Sequence, residues 1–213
     1  MPLDLSPVEA RVLGALLEKD LATPEYYPLS LNALQNACNQ KTNRDPVVAY
    51  DDDTVREGLE ALRHREWIAF VHEAGSRVVK YRHRMPEVFN LSRGESALLA
   101  LLLLRGSQTA AELRDRTARL HDFDDSEAVE HSLHKLSGRE PDPLAALLPR
   151  QPGQKEQRWA HLLAGEPQLP SAAAPVETPV RAGGADLERR LGQVETQLAE
   201  LRQEFESFKA QFE

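Results

Sequence analysis

The chain has 213 residues, of which 41% are hydrophobic, 28% charged and 6% aromatic, enough apolar material for one large domain or two small ones. Lys and Arg total 26 against 34 Asp and Glu, a net charge of −8, which argues against a non-specific polyanion binder unless cations gather locally. Cys38 is the single cysteine, so a disulfide framework and an all-cysteine zinc site within one chain are both excluded.

Ser6, with Pro7 behind it and Glu9 three residues on, reads as a capping box opening a helix whose apolar face carries Leu13, Leu16 and Leu17. An insertion, Ala22-Thr-Pro-Glu-Tyr-Tyr-Pro28, precedes a second helix that starts near Ser30 and buries Leu34. A polar run, Asn39-Gln-Lys-Thr-Asn-Arg44, leads to a third helix with Val55, Leu59 and Leu62 at i, i+4, i+7. Ile68, Phe70, Val79 and Tyr81 flank Glu73-Ala-Gly-Ser76, the pattern of a β-hairpin. The same series then recurs. Ser92 and Glu95 form a second box before Leu99, Leu102 and Leu103, and Thr109 with Glu112 a third before Leu113. Val129, Leu133 and Leu136 repeat the third helix, and apolar segments around Leu144 and Trp159, with a polar tip at Pro152-Gly-Gln-Lys155, repeat the hairpin.

Residues 166–185 are rich in Pro, Ala and Gly and bury too little to offset their ordering entropy, so a linker is expected. Beyond it Leu187, Leu191, Val194, Leu198, Leu201, Phe205, Phe208 and Phe212 alternate spacings of four and three, an unbroken heptad that predicts a self-associating coiled coil. The expected fold is therefore mostly α with small β-hairpin wings (α+β). It consists of two tandem winged-helix domains at 1–90 and 91–165, a linker at 166–185 and a coiled-coil helix at 186–213.

The runs Leu17-Glu-Lys19, Thr23-Pro-Glu-Tyr-Tyr-Pro-Leu-Ser-Leu-Asn32 and Ala37-Cys-Asn-Gln-Lys-Thr-Asn-Arg44 resemble the signature of the bacterial YceH-like proteins. Leu103-Leu-Arg-Gly-Ser-Gln-Thr109 and Arg158-Trp-Ala-His-Leu162 resemble its second-half motifs. The resemblance covers 1–165 and a helical tail. It implies two winged-helix domains and carries no assigned activity.

In a winged helix that reads DNA, the third helix presents Arg, Lys, Asn or Gln to the major groove. Here its outward positions are Asp53, Glu57, Glu60 and His64 in one copy and Glu127, Glu130, His131 and His134 in the other, an acidic face poorly suited to reading bases. The candidate phosphate contacts are Lys41, Asn43 and Arg44 after the second helix, and Lys80, Arg82 and Arg84, which alternate along the return strand of the first hairpin. The first set also reads as a loop held by its own Asn and Thr side chains, and the second as a solubility device on an exposed edge strand. Tyr26 and Tyr27 suit either a docking surface or a loop folded onto its own domain. Glu127, His131 and His134 share a helix face without an evident fourth ligand, so no metal and no cofactor are expected. No phosphate-binding glycine loop, nucleophile elbow or His-Glu-x-x-His pair occurs, so no catalytic role is expected. The opening MPLDLSPVEAR lacks a basic start and apolar run, and the longest apolar stretch, 97–104, is too short for a bilayer. A cytoplasmic, self-associating protein without a membrane partner is expected. The favoured role is DNA association in transcriptional regulation; the alternative is a protein–protein adaptor that does not bind DNA directly.

Overall fold

The computed structural model describes residues 3–165 apart from 73, 74, 76, 77 and 152. Ser6 caps α1 (Pro7–Ala22), its hydroxyl accepting from the Glu9 amide while the Glu9 carboxylate accepts from the Ser6 amide. The reciprocal box satisfies amides that the first turn leaves without partners. β1 (Leu29–Ser30) leads directly into α2 (Leu31–Cys38), and Asp51 caps α3 (Asp52–His64) by accepting from the Thr54 amide. α3 buries Val55, Leu59 and Leu62, and its exposed side includes Asp53, Glu57, Glu60 and His64.

β2 (Ile68–His72) and β3 (Val79–His83) form the expected hairpin, whose tip residues Glu73, Ala74 and Ser76 lie outside the described residues. β3 is the middle strand of an antiparallel sheet of order β1-β3-β2, with Leu29 and Phe70 both opposite Tyr81. The reading of β3 as an exposed edge strand is therefore corrected: β1, too short to announce itself in the sequence, completes its second ladder. Alternation turns Tyr81 and His83 into the core and Lys80 and Arg82 outward. A short helix absent from the sequence reading, α4 (Met85–Phe89), closes this half and ends at Asn90 with φ 45°.

The second half comprises α5 (Arg93–Arg105), α6 (Ala110–Thr117), α7 (Ser126–Ser137), β4 (Ala145–Leu147) and β5 (Trp159–His161). Both further capping boxes form, at Ser92/Glu95 and Thr109/Glu112. β4 and β5 pair antiparallel with Leu147 opposite Trp159, and Gln108 bridges to Trp159 from the other side. The arrangement Gln108–β5–β4 thus repeats β1–β3–β2.

α1 and α5 are buried over most of their circumference, the condition of a helix enclosed by protein. They pack on one another, and a Cβ placed on Gly14 would fall 2.9 Å from Leu104 Cγ. The Leu5 amide donates to the Leu163 carbonyl at 2.8 Å, joining the start of the first half to the end of the second. The repeats consequently share one core within a compact unit spanning 1–167. The result is a mostly helical α+β protein with two small antiparallel sheets. No helix of the described residues is long and apolar enough to cross a membrane. All of the expected linker at 166–185 and of the coiled coil at 186–213, with Leu187, Leu191, Val194, Leu198, Leu201, Phe205, Phe208 and Phe212, lies outside the described residues.

Candidate nucleic-acid interface

The first candidate segment is the loop between α2 and α3. Its shape is set by Arg44, which points inward. The guanidinium makes a two-pronged contact with Glu18 of α1, 3.2 Å to Oε1 and 2.6 Å to Oε2, and also donates to the Ala37 carbonyl from Nε at 3.0 Å. Both side chains are fully buried. Arg44 is therefore removed from the phosphate contacts: a cation whose donors are spent on a buried carboxylate and a helix-end carbonyl cannot reach a ligand. Burial pushes the Glu18 carboxyl up, but the hydrogen bonds and charge of Arg44, with Arg119 and Lys19, more than reverse this and hold it below the usual carboxylate range.

Further ties hold the same loop. Arg11 of α1 donates to the Cys38 and Pro46 carbonyls at 3.0 and 2.5 Å, and Asn39 exchanges two hydrogen bonds with the Tyr50 backbone. Cys38 is buried beneath them, its thiol pushed up to about 12 by burial. On the far side the Asp45 amide donates to the Leu104 carbonyl at 2.9 Å, and Arg105 donates to Asn43 Oδ1 at 3.0 Å. Asn43 holds φ 58°, a left-handed conformation that asparagine tolerates. Lys41 and Asn43 remain exposed on this rigid loop.

Beside the loop stands a set of arginines that the sequence reading missed. Arg119 donates to Glu18 from the solvent side, Arg116 donates to Gln108 Oε1 at 2.6 Å, and Arg105 reaches Asn43. Arg105 is held below the usual guanidinium range by partial burial and then by the like charge of Arg116, with Arg119 adding to it. These cations come from α5 and from α6 with the turn after it, and they meet the α2–α3 loop only because α1 packs on α5. The i, i+3 spacing of Arg116 and Arg119 was the one local signal available.

The second candidate segment is β3. Lys80 and Arg82 share its outward face with Ala69, Val71 and Ser30. Arg82 is half exposed and lies 2.7 Å from Glu87. Arg84 departs from the stripe: the strand ends at His83, and Arg84 occupies the cap position of α4, its side chain 3.5 Å from the Glu66 carbonyl. Of the tyrosine pair, Tyr27 folds back, its hydroxyl accepting from the His83 amide at 2.6 Å, and burial pushes that hydroxyl's pKa up. Tyr26 stays outside, 74% exposed.

The described residues include no group of three or more His, Cys, Asp or Glu that could hold a metal ion. Glu127, His131 and His134 are all exposed on α7, and the His134 ring meets Trp159 edge-on at 5.0 Å. The His161 ring is lowered to about 4 by burial, which favours its neutral form.

The molecule is thus an α+β protein of two repeated halves on a shared core. The chain belongs to the family described as "Protein of unknown function, DUF480", which matches residues 5–154. It is 47% identical to a UPF0502 protein of Solibacter usitatus over the whole of both chains. It is 49% identical to a UPF0502 protein of Geobacter sulfurreducens, again over the whole of both. A UPF0502 protein of Cronobacter sakazakii is 44% identical, over 95% of this chain and 94% of its own. The family match spans 17–19, 23–32, 37–44 and 103–109 of the runs that carried the resemblance, and two of their residues, Glu18 and Arg44, form the buried ion pair, with the Ala37 carbonyl accepting from Arg44.

Proposed function

We propose that the chain is a non-enzymatic, cytoplasmic tandem winged-helix protein that associates with DNA through phosphate contacts in transcriptional regulation. The winged-helix assignment is supported by the repeated order of helix, short strand or single bridge residue, helix, helix and hairpin, with the last strand paired on both sides each time. The observation that carries the DNA reading is the gathering of outward cations in an otherwise acidic chain. Lys80 and Arg82 lie on one face of the first hairpin, and Lys41 lies on the loop that meets Arg105, with Arg116 and Arg119 beside it. The exposed carboxylates of α3 and α7 oppose base reading, so affinity comes from the backbone of the duplex.

The test is binding to two duplexes of unrelated sequence over a range of salt. About three to five neutralised phosphates give a log–log slope of roughly −2.7 to −4.5, similar for both sequences. Arg82→Glu and Arg116→Glu should weaken both duplexes alike, whereas Glu57→Gln with Glu60→Gln should leave binding unchanged or tighten it. Loss of a sequence preference in the glutamate variant would mean that α3 reads bases. Absence of binding at low salt would favour the second reading, a protein–protein adaptor, which the acidic faces of α3 and α7 support.

A further inference from the structure

The two repeats diverge at one place where their geometry otherwise matches. Leu147 corresponds to Phe70, since each lies opposite the aromatic residue of the central strand, Trp159 or Tyr81. Leu136 corresponds to Leu62, both fully buried at the end of the third helix, so Ser137 stands where the first repeat has Arg63. In the first repeat the surface between helix and hairpin carries its own exposed cation. The Arg63 guanidinium lies 4.8 Å from the centre of the Phe70 ring and 3.4 Å from the Glu60 carboxylate. In the second, Ser137 turns its hydroxyl to the His134 carbonyl at 3.1 Å. A groove of about 360 Å³ remains, lined by Glu130, His134, Leu147, Glu156 and Trp159. Leu147 is 40% exposed there. Glu130 and Glu156 are exposed too, and no hydrogen bond or ion pair among the described residues engages either.

We infer that this groove receives an arginine side chain of a protein partner, presented next to an apolar residue. The first repeat displays one arrangement of this kind at the corresponding place: a planar cation resting on a hydrophobic side chain with a carboxylate beside its N–H groups. The second repeat has Leu147 for Phe70, His134 for Glu60 and Ser137 for Arg63, and its carboxylates, Glu130 and Glu156, come from other positions around the groove. Two carboxylates without partners repel phosphate, so charge complementarity selects a cationic protein segment over a nucleic acid. Leu147 supplies contact for the apolar neighbour. The groove and the proposed DNA contacts use different residues, so either assignment can fail without the other.

The experiment titrates the full-length, isotope-labelled protein with the capped tripeptide Leu-Arg-Leu and, separately, with Leu-Glu-Leu, followed by NMR. The arginine peptide alone should shift the Trp159 indole N–H and the Leu147 and Glu130 amides in a saturable way. Glu130→Gln with Glu156→Gln, both at exposed positions, should weaken this by about tenfold or more. Ser137→Arg should supply the guanidinium in cis and block the peptide, with the Trp67 indole signal reporting an intact fold. A flat response at Trp159, an equal response to the glutamate peptide, or movement of the same resonances by duplex DNA would overturn the assignment.

Discussion

Arg44 shows how one side chain can shape a surface from beneath it. Its pairing with Glu18 fixes the α2–α3 loop, and the loop in turn places Lys41 and Asn43 at the surface. Removing one member of a buried pair strands the other charge, which costs about 3–5 kcal/mol. Arg44→Met should therefore lower stability by that amount in denaturant unfolding, and Glu18→Leu with Arg44→Met should recover most of it. If the single variant melts like the parent, the pair has no structural role. Glu18 titrates below its ordinary range, so its contribution is complete above the unfolded carboxylate pKa and is lost as pH falls through the lower folded value. Acid unfolding of the parent should accordingly be steeper below about pH 4.5 than that of the double variant. Nothing in the run Asn39-Gln-Lys-Thr-Asn-Arg44 distinguishes Arg44 from Lys41 as a cation. The distinction lies 26 residues away, on a helix whose charged position faces inward.

At the scale of elements, what was legible was local. The three capping boxes and the i, i+4, i+7 faces of α3 and α7 involve neighbours in sequence, so their spacing specified them. The central position of β3 depended on a two-residue strand half the first repeat away, and the arginine cluster on the packing of α1 against α5. That helix pair depends on Gly14, where an added methyl meets Leu104 Cγ at 2.9 Å and Leu103 Cβ at 3.0 Å. Alanine is better than glycine inside a helix by up to about 1 kcal/mol, whereas overpacking a tight core costs about 1–3 kcal/mol. The contact term is the larger, so Gly14→Ala should lower the Tm of the full chain. A rise in Tm would mean that the two helices separate without penalty.

For the whole molecule, the acidic excess is divided evenly between residues 1–165 and the remainder, so charge gives the tail no distinct role. Periodicity does. From Leu187 to Phe212 the apolar spacing of four and three never breaks, the pattern that in a coiled coil would keep one seam facing a partner helix. With Leu191 at the a position, a parallel coiled coil would set Arg190 against Glu195 and Glu204 against Lys209, opposite charges at two of its three g-to-e contacts, and Gln197 against Arg202 at the other. Self-association would join copies of the proposed phosphate-contact surface, and linked weak sites gain affinity through effective concentration. Light scattering should therefore find an oligomer for the full chain and a monomer for 1–170. The pair Leu198→Asp and Leu201→Asp should give the monomer as well, because both charges enter the seam. The same variant should lose DNA affinity while keeping the phosphate-contact salt slope per chain. An unchanged number of chains per particle in the truncated protein would move the self-association surface to the first 170 residues.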